Sequence, residues 1–178
     1  LAGRPAADAD HDGVGDAWHL VQDRSEFVAL AGAGQPPRRV LGLPRVRETL
    51  QQKRDGDQQA DPFAVPLNPG VPDLAEMSRA ALNVLWRHGE GFGLLIEGGA
   101  VDWGGHDRAV GRTVEEQLDF DAAVAAVVAW LDARELWEQT LLVVTSDHEC
   151  GHLRGVDGEG ALPAVPPAAA GEMPAVEF

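Results

Sequence analysis

Cysteine is almost absent from this chain of 178 residues. Cys150 stands alone, so no disulfide can close within the chain, and cysteine usage carries no information on compartment. Basic side chains are also scarce, 14 Lys and Arg against 29 Asp and Glu, which leaves a formal net charge of −15. A field of that sign repels nucleic acid, whose binding rests largely on neutralising phosphates with Lys and Arg, so no nucleic-acid partner is expected. It would equally repel a small phosphorylated substrate unless bound cations reversed the sign locally. No apolar run approaches the roughly 20 residues that cross a bilayer, and no membrane partner is expected. No internal repeat is evident. The chain opens "LAGRPAADAD", with neither an initiator methionine nor a basic-then-apolar leader, the start expected of a processed or truncated chain.

What is present has the balance of a soluble globular protein, 44% hydrophobic and 24% charged, with length for one domain and a sizeable core. The first 25 residues are polar and include the acidic cluster "DADHDGVGD" at 8–16. "SEFVALA" (25–31) predicts a helix capped by Ser25 and ended by Gly32 and Gly34. "RVLGL" (39–43) reads as a short strand, "RVRETLQQKR" (45–54) as a possible helix, and 55–72 as an irregular connection. The pattern sharpens at "DLAEMSRAALNVLWRH" (73–88), where Asp73 caps a helix with Leu74, Met77, Ala81, Leu82 and Leu85 on one face. "GFGLLIE" (91–97) is expected as a buried strand. "TVEEQLDFDAAVAAVVAWLDAR" (113–134) reads as a helix opened by a Thr113–Glu116 capping box, and "QTLLVVTSDHE" (139–149) as a second apolar strand. Helix, strand, helix, strand in that order predicts an α/β fold with a parallel sheet. The tail 154–174, rich in Gly, Pro and Ala, reads as a functional or mobile loop.

Both apolar strands end in polar residues, where open α/β sheets place their ligands. "IEGGAVDWGGH" (96–106) supplies Glu97, Asp102 and His106, the last two sharing a face on a helical or tight glycine-containing turn. "TSDHE" (145–149) supplies Asp147 and His148, which reach one ion only if the backbone turns there. Carboxylate and imidazole are standard zinc ligands, while Glu97 suits a harder ion such as magnesium. Any one cluster is also compatible with a hydrogen-bonded polar strand end. Two clusters, each closing an apolar strand, point to a metal centre.

These stretches carry a resemblance. "GFGLLIEGGAVDWGGH", "GRTVEEQLDFDAAVAAVVAWL" and "TLLVVTSDHECGHL" resemble the C-terminal half of an alkaline phosphatase, continuously from about Leu74 to Leu153 and more weakly before. In that family an apolar strand runs into E-G-G-x-x-D-x-x-x-H and a later strand ends in T-x-D-H. The Asp and His pairs recur in a wider superfamily of phosphatases, sulfatases and phosphomutases, and the E-G-G and "EEQLDF" segments narrow the match. The resemblance implies a three-layer α/β fold whose mostly parallel central sheet is flanked by helices. Residues 1–178 would form an incomplete domain: 1–72 polar and less regular, 73–153 the metal-site core, 154–178 a loop and truncated end. It further implies that Asp102 and His106 bind a first Zn²⁺, Asp147 and His148 a second, and Glu97 a Mg²⁺. Trp103 would occupy a variable position that in some members carries a phosphate-contacting Lys or His, a charge that Trp does not supply. The implied activity is hydrolysis of phosphate monoesters by in-line displacement with a serine nucleophile and two zinc ions. Export to the periplasm or medium and a homodimer are implied on the same footing.

The family's nucleophilic serine, a bridging aspartate and a phosphate-binding arginine have no counterpart here, and Ser25, Ser78 and Ser146 lack the surrounding motif. A last zinc histidine follows a segment resembling "PAVEF" in the family, and this chain ends at Phe178. The expectation is therefore a fragment that is inactive alone. Two other readings stay open: a phosphodiesterase or sulfatase of the same superfamily, and a non-catalytic metal- or calcium-binding remnant. Asp8, Asp10, Asp12 and Asp16 with Gly13 match the first nine positions of a Ca²⁺ loop, but position twelve is His19 rather than glutamate. Among the remaining residues, His88 is expected as a surface residue at a helix end, His152 in part as a neighbour of the Asp-His pair, and Cys150 as a small buried side chain. Trp18, Trp86, Trp130 and Trp137 read as packing residues, and Glu115, Glu116, Asp119 and Asp121 mostly as a solvated helix face.

Overall fold

The computed structural model describes residues 15–32 and 34–151, together with Asp8 and Gly13. Among these the fold is mixed α/β, with four helices and a two-stranded parallel sheet. Strand β1 (His19–Val21) leads through helix α1 (Arg24–Gly32) to β2 (Val40–Gly42), which pairs parallel to β1 in the register His19↔Val40 and Val21↔Gly42. Helices α2 (Leu74–Trp86), α3 (Ala100–His106) and α4 (Val110–Asp132) follow, and a 3-10 turn at Trp137–Gln139 closes the regular structure. No helix among the described residues is long and apolar enough to cross a membrane.

Helix α2 begins where the sequence places it. The Asp73 carboxylate accepts from the Glu76 amide at 2.6 Å and the Glu76 carboxylate accepts from the Asp73 amide at 3.1 Å, so two amides with no partner inside the helix are satisfied reciprocally. Burial pushes the Glu76 carboxyl up, but the Arg24 guanidinium and the Asp73 amide outweigh it and hold the group below its ordinary range. The Arg24–Glu76 pair, 2.8 Å, ties the first turn of α1 to that of α2.

The expected single apolar face of α2 is too narrow. Ala80 and Val84 pack with Val21, Phe27 and Leu30, while Leu82 packs on Val127, Trp130, Leu131 and Leu136 of the α4 side. A helix held between two neighbours buries more than one stripe, and α2 contacts both α1 and α4. Asn83 fastens the three together, donating to the carbonyls of Leu30 and Ala31 and accepting from the Trp130 indole at 2.9 Å. Trp130 is buried and Trp86 packs edge-on against it, centroids 5.6 Å apart. Trp18 lies exposed under the Arg39 guanidinium, and Trp137 donates to Asp132, so these two cover surface rather than fill the core. His88 is at the surface as expected, its Nε2 3.0 Å from the Arg38 carbonyl.

Several expectations are corrected. Helix α1 starts at Arg24 rather than at Ser25, with Glu26 accepting from the amides of Gln22 and Asp23. Helix α4 starts at Val110, and Thr113 is no cap: its hydroxyl donates to the Ala109 carbonyl, one turn back. The stretch 45–54 is irregular, because Arg54 draws the chain around itself by donating to the carbonyls of Gln51, Val65 and Pro66. The runs 91–97 and 139–149 form no ladder with any described residue. Only Ile96 and Leu142 reach the α2–α4 core, while Leu95 is 88% and Leu141 87% exposed. Apolar sequence marks a strand for burial, but burial requires neighbouring strands, and the one ladder here lies elsewhere.

The supposed solvated face of α4 is also largely buried. Glu115 accepts from Arg54 at 2.7 and 2.9 Å, from Arg112 at 3.3 Å and from the Phe63 amide at 2.7 Å. Glu116 is buried with one carboxylate oxygen unpartnered, Asp119 is half-buried and accepts from the Leu74 amide, and only Asp121 is exposed. The loop through residues 51–66 covers this face.

Two predictions follow from that burial. Arg54→Ala leaves the Glu115 charge without its main partner and is expected to lower stability by about 3–5 kcal/mol in urea unfolding; a loss within experimental error would refute the pairing. Burial, then the charges of Asp119 and Glu115, push the Glu116 carboxyl up to about 7. Below its ordinary value of 4.5 it is protonated in both folded and unfolded chains. As pH rises from there toward 7 the unfolded chain ionises first, so stability falls, by on the order of 3 kcal/mol, and then levels. Asp119, also raised by burial, adds in the same direction. Glu116→Gln is expected to remove most of that decline in a melting-temperature series from pH 5 to 8; an unchanged slope would refute the assignment.

Candidate metal centre

Residues 96–106 turn from an extended segment into the short helix α3, and this places the first group of candidate ligands. Asp102 and His106 lie one turn apart on α3 with Oδ2 and Nε2 3.5 Å apart. The other carboxylate oxygen, Asp102 Oδ1, is buried and has no hydrogen-bond partner. A buried acceptor left open in this way costs stability unless a donor or a cation fills it. His106 is exposed, so its ring is free to turn. Glu97 is exposed at the end of the extended segment.

The second group lies on residues 147–151. His148 Nε2 is 3.2 Å from Asp147 Oδ2, and its Nδ1 is 3.0 Å from the Glu149 carbonyl. That carbonyl, then the charges of Asp147 and Asp102, hold the imidazole protonated to higher pH than usual. The two segments meet. The contact itself is made by Cys150, whose thiol donates to the Asp102 carbonyl at 3.4 Å. Interaction with Asp102, then desolvation, pushes the thiol's pKa up.

Two glycines make this meeting possible. A Cβ on Gly105 would stand 3.1 Å from Cys150 Sγ, and one on Gly151 only 2.6 Å from the Gly105 carbonyl oxygen. Gly151 also sits at φ +78°, where side chains are strained. Backbone therefore packs on backbone, and Cys150 is brought beside Asp102 and His106. Asp102, His106 and Cys150 bring one ligand atom each to within 4.8 Å of one another, the one such trio among the described residues. Glu97, Asp147 and His148 stand outside it. Cys150, expected as a small buried side chain, stands half-buried beside Asp102 and His106; its position two residues past His148, beside a glycine, is the one sequence signal for this.

The whole chain can be set beside known proteins. A family model described as alkaline phosphatase matches residues 10–172. The chain belongs to the alkaline phosphatase family. It is similar to streptomycin-6-phosphate phosphatase of Streptomyces griseus, 35% identical over 163 residues, covering 83% of this chain and 34% of that protein. The tissue-nonspecific alkaline phosphatase of Mus musculus is 36% identical over 130 residues, 73% of this chain and 22% of that protein. Alkaline phosphatase 3 of Bacillus subtilis is 35% identical over 89 residues, 49% of this chain and 19% of that protein. The chain thus spans about a third of the first of these relatives and about a fifth of the other two.

Zinc and magnesium are the ions this family implies, and the donor set suits them. Carboxylate, imidazole and thiol are zinc ligands, the carboxylates suit magnesium as well, and the open Asp102 Oδ1 is an acceptor that a donor or a cation could fill. The calcium reading cannot be followed in the same way: Asp10 and Asp12 lie outside the described residues, as does His152, and Asp8 accepts from the Gly13 amide at 2.9 Å.

Gly151→Ala is expected to push 147–150 away from α3 while leaving every ligand in place. Zinc affinity should fall roughly tenfold or more, as when the support behind a metal ligand is removed. Calorimetric titration that finds the parent affinity in this variant would refute the backbone contact as the device that assembles the site.

Proposed function

We propose that this chain carries part of the metal centre of an alkaline phosphatase that hydrolyses phosphate monoesters, and that residues 73–153 are its metal-site core. The observation that carries this reading is the convergence of two polar segments, each following an apolar run, at the Gly105–Gly151 contact. Family membership gives the convergence its chemistry. Asp102 and His106 would hold one zinc, Asp147 and His148 a second, and Glu97 a magnesium, each carboxylate or imidazole being matched to its ion. When bound, such ions supply Lewis-acid stabilisation for in-line displacement at phosphorus. They also offset the chain's net charge of −15 where an anionic substrate must approach. The chain's own residues bind and orient: α3 fixes Asp102 and His106 as a pair, and Trp103, exposed beside them, adds no charge toward a phosphate.

The domain is proposed to extend beyond these residues into a larger, mostly parallel sheet in a three-layer arrangement. Support comes from the exposed apolar runs 91–96 and 141–145 and from the relatives' greater length. The nucleophile is proposed to lie outside this chain. The relatives named above, all phosphatases, favour a monoester over a diester or a sulfate ester.

Metal analysis of the purified chain tests the reading. At least one tightly held zinc per chain is expected, lost in Asp102→Ala and in His106→Ala. Less than one zinc, or occupancy indifferent to both substitutions, would overturn it. The chain alone is expected not to hydrolyse p-nitrophenyl phosphate with zinc and magnesium present; turnover would place the nucleophile within it.

A further inference from the structure

We infer that residues 51–66 form a strap across the first turns of α4, held down while the Glu116 carboxyl carries its proton and released as that proton leaves. This goes beyond the pH dependence of overall stability derived above, which requires no local motion, and it is independent of the metal-centre reading. The strap is closed at its base, where the Gln51 side chain donates to the Asn68 carbonyl at 3.0 Å and accepts from the Asn68 amide at 2.8 Å. Arg54 makes it one unit by donating to the carbonyls of Gln51, Val65 and Pro66. Gly111 admits the Ala60 carbonyl at the start of α4, where any Cβ would collide. Gln52 and Arg54 are the only buried residues of the strap, and both are polar; Phe63 is 53% exposed. A segment without buried apolar side chains can open while the core stays folded, because opening uncovers little apolar surface.

The strap is held to α4 through polar contacts centred on Glu115. That carboxylate accepts from Arg54 and the Phe63 amide on the strap, and from Arg112 on its own helix. Both guanidiniums are thereby committed. Glu116, beside it and buried, takes the Gln52 amide from the strap, and its Oε1 has no partner. The charged groups that face Glu116 are Asp119 and Glu115 on α4 and Arg54 on the strap. Asp73 and Glu76 at the start of α2 stand against Asp119, and Lys53 is turned to Asp107. A negative charge on Glu116 is therefore neither paired nor solvated while the strap lies over it. Lifting the strap takes Gln52 and Arg54 away and lets water reach the carboxylate. The carboxyl's rise to about 7 fits this geometry. Below its ordinary value of 4.5 both forms hold the proton; between there and 7 the open form ionises first and gains, and above 7 the gain levels.

Hydrogen exchange of the full chain, corrected for the intrinsic pH dependence of amide exchange, tests the device. Protection across 51–66 is expected to fall about tenfold from pH 6 to pH 8, the ratio set by a carboxyl pKa of about 7 closed and about 4.5 open. Segments of α2 and α4 around Leu82 and Val127 should stay more protected at each pH. Urea at about 1 M should speed their exchange and leave that of the strap unchanged, because only their exchange needs global unfolding. Glu116→Gln should leave the strap as protected at pH 8 as at pH 6. Asp119→Asn removes a like charge, so the decline should finish at lower pH, a readout that serves even if Glu116→Gln does not fold. Strap protection that is constant with pH, that equals protection of the α4 core, or that declines unchanged in either variant would overturn the inference.

Discussion

Three consecutive side chains, Gln52, Lys53 and Arg54, grip the corner between α3 and α4, and the candidate centre depends on that grip. Gln52 and Lys53 donate to the Asp107 carboxylate at 2.7 and 2.5 Å, just past the end of α3. The Lys53 hydrogen bond, then that of Gln52, holds the Asp107 carboxyl below its ordinary range. Arg54 reaches the other side of the corner to pair with buried Glu115 on the first turns of α4. A buried ion pair is poor evidence of net stability, because desolvation offsets much of its attraction. Its value here is geometric. Both oxygens of Glu115 are occupied, by Arg54, Arg112 and the Phe63 amide, which ties the 51–66 loop to the first turns of α4.

The centre itself is arranged for charge. The candidate ligands are carboxylates and imidazoles, and Trp103 beside them is neutral. On the proposed reading, bound cations would supply the positive field and the carboxylates would hold them. The same reading would account for the buried aspartate oxygen that has no hydrogen bond.

Local signals in the sequence were the readable ones. The Asp73–Glu76 box, the α4 periodicity through Trp130 and the spacing of Asp102 and His106 all express interactions within one or two turns. The failures share a cause in tertiary contact. Thr113 and Glu116 have the spacing of a capping box, yet the helix begins a turn earlier and Thr113 bonds backward to Ala109. Glu115 and Glu116 look like surface charge until Arg54, 61 residues away from Glu115 along the chain, is brought over them. Residues 91–97 and 139–149 have strand composition, but no local signal states which strand lies alongside. The nearness of Cys150 to Asp102 was not legible because it is set by two glycines 46 positions apart, Gly105 and Gly151.

The two apolar runs have a further meaning for the molecule in concentrated solution. Leu94, Leu95, Val143 and Val144 stand at the surface on extended backbone whose amides and carbonyls belong to no ladder. Such a row is a template for another strand, from whatever chain supplies one. The segments that carry the candidate ligands thus also present open strand edges, and self-association through them would draw Glu97 and Asp147 into the contact. Pairing at those two edges and access to the candidate ligands are in this sense linked.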